Sequence, residues 1–236
     1  MELDGAAVSS DSLRDDVATA CQILAAQGHE HLSLGHVSAR RPDTGLVAVK
    51  PAGLGLAEVR PEDVVITDLD GQKVTDDNRA LHAEMPIHTR IYRRRADVNA
   101  VVHTHPLHVA ALAASSATML MVNQDSIHFL DRIATYPDPQ LIRTSEHGDA
   151  LAAALADTRA VILKNHGLVT VGHSIPEATF LAVALLNSLR VQALAAQYGQ
   201  IHVIDPIDAA AMAQDFAAGY AAMVESSWQY MKRCLP

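Results

Sequence analysis

The feature that most constrains this chain is an apolar run that ends in two histidines, Val101-Val-His103-Thr-His105. The β-branched residues of this run predict a strand. Side chains two residues apart on a strand point to the same face, so His103 and His105 should converge on one point. A third histidine, His166, lies in a second strand-like run, where Gly167 would let the backbone bend and aim the imidazole. Three imidazoles held in this way predict a catalytic divalent-metal site with coordination positions left open.

A plainer interpretation of the same histidines competes with a metal site. The chain contains 13 histidines, so a His-x-His pair can arise by chance and lie hydrogen-bonded in a core. Glu84 upstream of the pair and the Asn165-His166-Gly167 element downstream favour the metal site.

The composition excludes several classes of partner. The chain has 236 residues, enough to bury a sizeable core, and it is 49% hydrophobic and 19% charged, as globular proteins are. A net charge of −9 gives no sign of nucleic-acid binding. Two cysteines do not make a disulfide framework, so we expect a cytoplasmic protein. We expect no membrane partner, because no signal-peptide pattern and no apolar segment of spanning length is predicted.

Periodicity and turn signals predict one α/β domain over residues 1–236, with residues 1–10 frayed. A helix is predicted from Ser12 to Gly28. Asp70-Gly71 predicts a hairpin turn, and such hairpins favour a mixed, mainly antiparallel sheet. The other predicted segments are strands 37–40, 46–50, 64–67, 99–104 and 160–171 (bent at Gly167), helices 80–94 (with Glu84 on one face), from near 106, 149–155, 174–199 and 208–232, and a loop at 135–139.

Five segments resemble the class II aldolase/adducin family, in the family's order, over residues 12–200. They are Gly35-His-Val-Ser38-Ala-Arg40, Lys50-Pro-Ala-Gly53, the segment at Glu84, Asp97–His105 and Asn165-His166-Gly167. The resemblance implies a three-layer α/β/α sandwich around a mainly antiparallel sheet, and a tetramer with active sites at subunit boundaries. It also implies that His103, His105 and His166 hold one divalent metal per chain and that Glu84 moves the proton. Zn²⁺, Mn²⁺, Co²⁺ or Fe²⁺ would suit these ligands.

Departures from the family pattern bear on the substrate. The family's sugar-phosphate enzymes hold phosphate with an Asn and several hydroxyls, and those positions are His36, Ala52 and His82-Ala83 in this chain. Because a phosphate dianion requires several convergent donors, we expect a non-phosphorylated small-molecule carboxylate as substrate. His82 could equally be a solvated helix-start residue, and Tyr230 could be a core residue. The predicted substrate contacts are His36, Ser38, Lys50, Gly53, His82 and Tyr230.

Three functions remain open on the sequence. The first is decarboxylation of a hydroxyaromatic (di)carboxylate, because the chain resembles the family's non-phosphate branch, which acts on dihydroxyphthalate and 3-hydroxy-2-methylpyridine-4,5-dicarboxylate. The second is aldol cleavage of a hydroxy-keto substrate. The third is an adducin-like assembly protein without catalysis, which the retained histidines and Glu84 disfavour.

Overall fold

The computed structural model describes residues 10–236, and its centre is a seven-stranded sheet. The strands are β1 (His36–Arg41), β2 (Leu46–Val49), β3 (Val65–Thr67), β4 (Ala100–Thr104), β5 (Ile133–Tyr136), β6 (Ala160–Leu163) and β7 (Gly167–Gly172). Their order is β3-β2-β1-β4-β7-β6-β5, and every neighbouring pair is antiparallel except β5 and β6. The prediction of a mixed, mainly antiparallel sheet is therefore confirmed.

Helices cover both faces of the sheet. They are α1 (Ser10–Leu24), α2 (Met85–Arg94), α3 (Leu107–Ala113), α4 (Ser145–Leu155), α5 (Ile175–Tyr198) and α6 (Pro206–Arg233). One face packs against α1, α3 and α5, and the other packs against α2 and α4. This gives the predicted three-layer α/β/α sandwich. Residues 1–9, most of the segment expected to be frayed, lie outside the described residues.

Alternation along β4 decides which layer each side chain enters. Ala100 and Val102 are in the cluster with α1 and α5, whereas Val101 is in the cluster with α2 and α4. His103 follows Val101 by two residues and so points toward the α2 layer. Because β4 pairs with β1 on one side and β7 on the other, His103 stands opposite His36 and Val169 in a fully paired part of the sheet.

Several predicted boundaries were wrong in ways that matter for the site. The helix expected over 80–94 begins at Met85, so Glu84 is its N-cap residue and not a member of a helical face. The run expected as one bent strand over 160–171 is two antiparallel strands, and His166 lies in the turn between them. Two further differences are that β5 extends into the predicted loop 135–139 as far as Tyr136, and that α4 begins at Ser145 instead of Asp149.

Helix α5 corrects the expectation that no apolar segment has spanning length. By length and composition it could cross a membrane, but 56% of its most apolar 18-residue window is buried inside the fold. Its inward residues, among them Leu181 and Leu185, are fully buried and pack with α3 and β6. We therefore assign α5 as a core helix of the sandwich.

Candidate metal centre and active site

Four side chains that are distant in the sequence meet at one end of β4. Glu84, His103, His105 and His166 each offer a ligand atom, and these atoms all lie within 4.8 Å of one another. The Nε2 atoms of His103 and His105 are 2.9 Å apart. Oε2 of Glu84 lies 3.8 Å from Nε2 of His103 and 3.7 Å from Nε2 of His166. The structure thus brings together all four residues that the sequence singled out for metal chemistry.

Backbone contacts orient two of these side chains. The Nδ1–H of His103 donates to the carbonyl of Leu168, at 2.8 Å, which leaves Nε2 as the atom with the free lone pair. The N–H of Ile142 donates to Oε1 of Glu84, at 3.0 Å, so Oε2 is the oxygen that faces the histidines. Each contact occupies one polar atom of the side chain and leaves the other, Nε2 of His103 or Oε2 of Glu84, facing the cluster.

Burial keeps the histidines neutral, as metal ligands must be. It lowers the pKa of His105 to about 4, and the nearby His166 acts in the same direction. Burial also lowers the pKa of His103 well below its usual value, with His105 and His166 adding to the effect. The pKa of His166 is lowered by burial as well, while the Glu84 carboxylate opposes the shift.

The donor set fits a divalent cation. Two ligands that each stand about 2.1 Å from one ion lie roughly 3 to 4 Å apart. The three separations given above, 2.9, 3.7 and 3.8 Å, are close to this range. Two imidazole nitrogens 2.9 Å apart are stable only if one carries hydrogen or if both face a cation. The four side chains could therefore hold a metal, with His103, His105 and His166 as imidazole ligands and Glu84 beside them.

His166 is positioned by a tight turn and not by a strand. Asn165 adopts a left-handed conformation with φ of 56°, and this residue, not the expected Gly167, makes the bend. Gly167 is required for a different reason: a Cβ at this position would lie 2.4 Å from the carbonyl oxygen of Thr104 and 2.8 Å from Cδ2 of His105. The glycine lets the turn approach β4 closely enough for His166 to join the cluster.

The cluster opens into a cavity of about 570 Å³. Glu84, His105 and His166 line it, together with His82. The rest of the wall is largely apolar and includes Leu34, Leu107, Ala110 and Leu141. A cavity of this size with apolar walls and a few convergent polar groups is typical of a small-molecule site.

The predicted substrate contacts do not all reach this cavity. His82 lines it, with its Nε2 within 3.1 Å of the Pro51 carbonyl. Lys50 is fully buried behind His82, and its Nζ donates to the carbonyls of Ser33 and Pro51 at 3.4 and 3.2 Å. Burial lowers the pKa of Lys50. The ammonium group also lies 3.3 Å from Nε2 of His82, so Lys50 contacts a residue of the cavity wall without lining the cavity itself.

His36 and Ser38 belong to a buried chain of hydrogen bonds behind the cluster. Nδ1 of His36 lies 2.6 Å from Nε2 of His88, whose Nδ1 lies 2.6 Å from the Ser38 hydroxyl. That hydroxyl is 2.7 Å from the hydroxyl of Tyr92. The ring of His36 lies 4.8 Å from that of His103, so His36 supports the ligand from behind and does not line the cavity.

The last two predicted contacts lie at the surface. Gly53 is exposed, and a Cβ placed there would meet nothing within 4 Å. Tyr230 lies on α6 with 60% of its surface exposed. Neither residue lines the cavity of its own chain.

Sequence reasoning missed three groups that the structure places at the site. The Leu168 carbonyl and the Ile142 N–H are backbone groups that carry no sequence signal. Arg143 lines the cavity from the segment before α4, and no motif marks it.

The model of the Class II Aldolase and Adducin N-terminal domain matches residues 15–193, which is most of the chain and includes all four clustered side chains. The chain belongs to the class II aldolase and adducin family. The class II aldolases of this family depend on a divalent metal, and this chain has a cluster that could bind one.

Two relatives named for different activities are similar to this chain to about the same degree. The 3,4-dihydroxyphthalate decarboxylase of Arthrobacter keyseri is 31% identical over 183 residues, covering 73% of this chain and 74% of the relative. The L-fuculose phosphate aldolase of Methanococcus maripaludis is 32% identical over 158 residues, covering 67% and 83%. The relatives are therefore carbon–carbon lyases of two kinds.

A solved structure supports the fold across nearly the whole chain. The aldolase II superfamily protein from Pseudomonas syringae superposes with a TM-score of 0.89 at 27% identity. The match covers 98% of this chain and 95% of that protein.

Proposed function

We propose that this protein is a cytoplasmic, divalent-metal-dependent decarboxylase of a hydroxyaromatic (di)carboxylate. The observation that carries the proposal is the apolar part of the cavity wall. Leu34, Leu107, Ala110 and Leu141 offer apolar surface and few hydrogen-bond partners. A flat aromatic ring buries well against such a wall, whereas the hydroxyl groups of a sugar would lose their bonds to water.

The bound metal, Zn²⁺ or Mn²⁺ with Co²⁺ or Fe²⁺ as alternatives, would act as a Lewis acid toward charge that develops on a substrate oxygen. His103, His105 and His166 would hold it. In the reaction the bond between the ring and one carboxylate breaks, carbon dioxide leaves, and the electron pair of that bond stays on the ring carbon. Glu84, in its protonated form, then gives its proton to that carbon, which balances the reaction.

The hydrogen bond from Ile142 suits Glu84 to this role. It fixes Oε1 at the cavity wall and leaves Oε2 as the oxygen that carries the proton. Since Glu84 precedes α2 instead of lying within it, its side chain is held by this contact and not by helix packing.

An oligomer with sites at subunit boundaries, most simply a tetramer, is part of the proposal. The exposed phenol of Tyr230 on α6 is then available to close the cavity of a neighbouring subunit.

Aldol cleavage of a hydroxy-keto substrate is the second candidate, because the fuculose phosphate aldolase of Methanococcus maripaludis is as similar to this chain as the decarboxylase is. An adducin-like role without catalysis would leave the convergence of Glu84 and the three histidines without a purpose.

Nuclear magnetic resonance in deuterated water tests the proposal. The metal-loaded protein is incubated with 3,4-dihydroxyphthalate, and the products are followed in time. We expect one aromatic product with one deuterium on the carbon that lost its carboxylate. If 3,4-dihydroxyphthalate stays unchanged and a hydroxy-keto substrate gives two carbonyl fragments, the proposed decarboxylase is contradicted and the aldolase takes its place.

A further inference from the structure

We infer that Arg143 is the residue that recognises the substrate carboxylate retained in the product, a role that rests on the proposed function. Arg143 is the one lysine or arginine among the described residues that line the cavity, which it shares with Glu84, His105 and His166. Arg143 is exposed to the cavity and is always charged, so its guanidinium is suited to an anionic group on the occupant.

The chain places Arg143 next to the reacting groups. The preceding residue, Ile142, is fixed to Glu84 through its N–H, and the N–H of Arg143 donates to the Leu141 carbonyl at 3.0 Å. The following residue, Thr144, caps α4 by accepting a hydrogen bond from the N–H of His147. The backbone of Arg143 is thus held on both sides, which fixes the start of its side chain relative to Glu84.

The guanidinium of Arg143 has its donors available. Within residues 10–236, its side chain makes no hydrogen bond and no ion pair with protein groups, although carboxylates are near in sequence. Arg90 shows the alternative: its Nε and Nη2 bind both oxygens of Asp149 at 2.6 and 2.7 Å. A substrate carboxylate can take the same two-bond geometry on Arg143.

Glu30 places a second carboxylate in the wall that Arg143 shares. Glu30 lines the same cavity, and its Oε1 accepts a hydrogen bond from the N–H of Ala57, at 3.3 Å. The carboxylate of Glu30 repels an anionic substrate, and the positive charge of Arg143 in the same wall offsets that repulsion.

This assignment differs from the substrate contacts expected from sequence. Lys50 contacts backbone carbonyls and His82, and His36 contacts His88, and neither residue lines the cavity. Burial lowers the pKa of His82 to about 4. Arg143 supplies the charge that those residues were expected to provide.

Calorimetry with two simple probes tests the inference without turnover. Removal of the carboxylate beside the hydroxyl of 3,4-dihydroxyphthalate leaves 3,4-dihydroxybenzoate, and catechol is the same ring with no carboxylate. Metal-loaded protein should bind 3,4-dihydroxybenzoate more tightly than catechol. Arg143→Gln should lower the affinity for 3,4-dihydroxybenzoate roughly 10- to 100-fold and leave the affinity for catechol unchanged. Only 3,4-dihydroxybenzoate makes charged hydrogen bonds to Arg143.

Two further variants sharpen the comparison. Arg143→Lys should recover part of the affinity, because it keeps the charge and loses the planar fork. Arg94→Gln, which removes an exposed arginine of α2 outside the cavity, should bind both probes as the wild type does.

Three results would decide the matter. The role of Arg143 is overturned if Arg143→Gln loses affinity equally for both probes. It is also overturned if the wild type binds 3,4-dihydroxybenzoate no more tightly than catechol. If inorganic phosphate binds more tightly than 3,4-dihydroxybenzoate, and this binding depends on Arg143, then Arg143 recognises a phosphate group and not a carboxylate. An Arg143-dependent preference for 3,4-dihydroxybenzoate in a protein that releases no carbon dioxide supports the assignment and contradicts the proposed function alone.

Discussion

The N–H of Ile142 holds Oε1 of Glu84 at 3.0 Å and leaves Oε2 facing the imidazoles of His103 and His166. These two residues are 58 positions apart, and their contact ties the segment before α4 to the N-cap of α2. The contact separates the two oxygens of one carboxylate into an anchored atom and an atom that faces the imidazoles.

Replacement of Glu84 by glutamine should remove turnover and spare binding. The side-chain carbonyl of the glutamine can still accept from Ile142, but the amide carries no transferable proton. We expect carbon dioxide release from 3,4-dihydroxyphthalate to fall roughly 10²- to 10⁴-fold, the usual contribution of a positioned acid or base. Metal content and affinity for 3,4-dihydroxybenzoate should stay close to wild type. Glu62→Gln, at an exposed position, is the matched control, and near-normal turnover in Glu84→Gln would assign Glu84 a structural role.

Removal of one imidazole should empty the metal site. We expect about one divalent ion per chain in the purified protein, and a strong loss in His103→Ala and in His166→Ala, because three protein ligands are the usual minimum for a catalytic site. Elemental analysis after dialysis measures the occupancy. His202→Ala, at an exposed position, should keep its metal. Full occupancy in both ligand variants would rule out this centre.

Gly167 and Gly219 form a matched pair for the packing argument. A methyl group at Gly167 meets the Thr104 carbonyl, so Gly167→Ala should lower the free energy of unfolding by roughly 1–3 kcal/mol and loosen metal binding. Gly219 lies in α6, where an added Cβ would have nothing within 4 Å. Gly219→Ala should therefore raise the free energy of unfolding by about 0.5–1 kcal/mol. Urea unfolding measures both, and equal effects of the two changes would refute the close approach.

Acid should destabilise the protein through its buried neutral histidines. Burial lowers the pKa of His29 and of His88 to about 3, while the unfolded chain has values near 6.5. Between those limits the unfolded state binds more protons, so the free energy of unfolding falls as the pH falls from about 6.5 toward 3.

A variant at His29 isolates one part of that dependence. Urea unfolding at several pH values should show a slope for His29→Gln that is shallower than wild type by up to about 1.4 kcal/mol per pH unit. His202→Gln should keep the wild-type slope. Identical slopes in the wild type and His29→Gln would contradict the shifted pKa.

Local rules predicted the parts of the site that lie within one element. The two-residue period of a strand was enough to place His103 and His105 together, and the five segments in order were enough for the fold. The partners of His103 and Glu84 were not accessible, because a carbonyl 65 residues away and an N–H 58 residues away have no local signal. Polar residues near the ligands were expected to face substrate. His36 and Ser38 instead form hydrogen bonds to the two ring nitrogens of the buried His88.

The measurement that tests this account most directly offers both substrate classes to the metal-loaded protein. One reaction contains 3,4-dihydroxyphthalate with its carboxylates labelled, the other contains L-fuculose 1-phosphate, and labelled carbon dioxide and free aldehyde are followed in both. The account predicts carbon dioxide from the aromatic dicarboxylate, abolished by a chelator and restored by Zn²⁺ or Mn²⁺, with little aldehyde from the sugar phosphate. Metal-dependent aldehyde from the sugar phosphate, with no carbon dioxide from the aromatic acid, would contradict it.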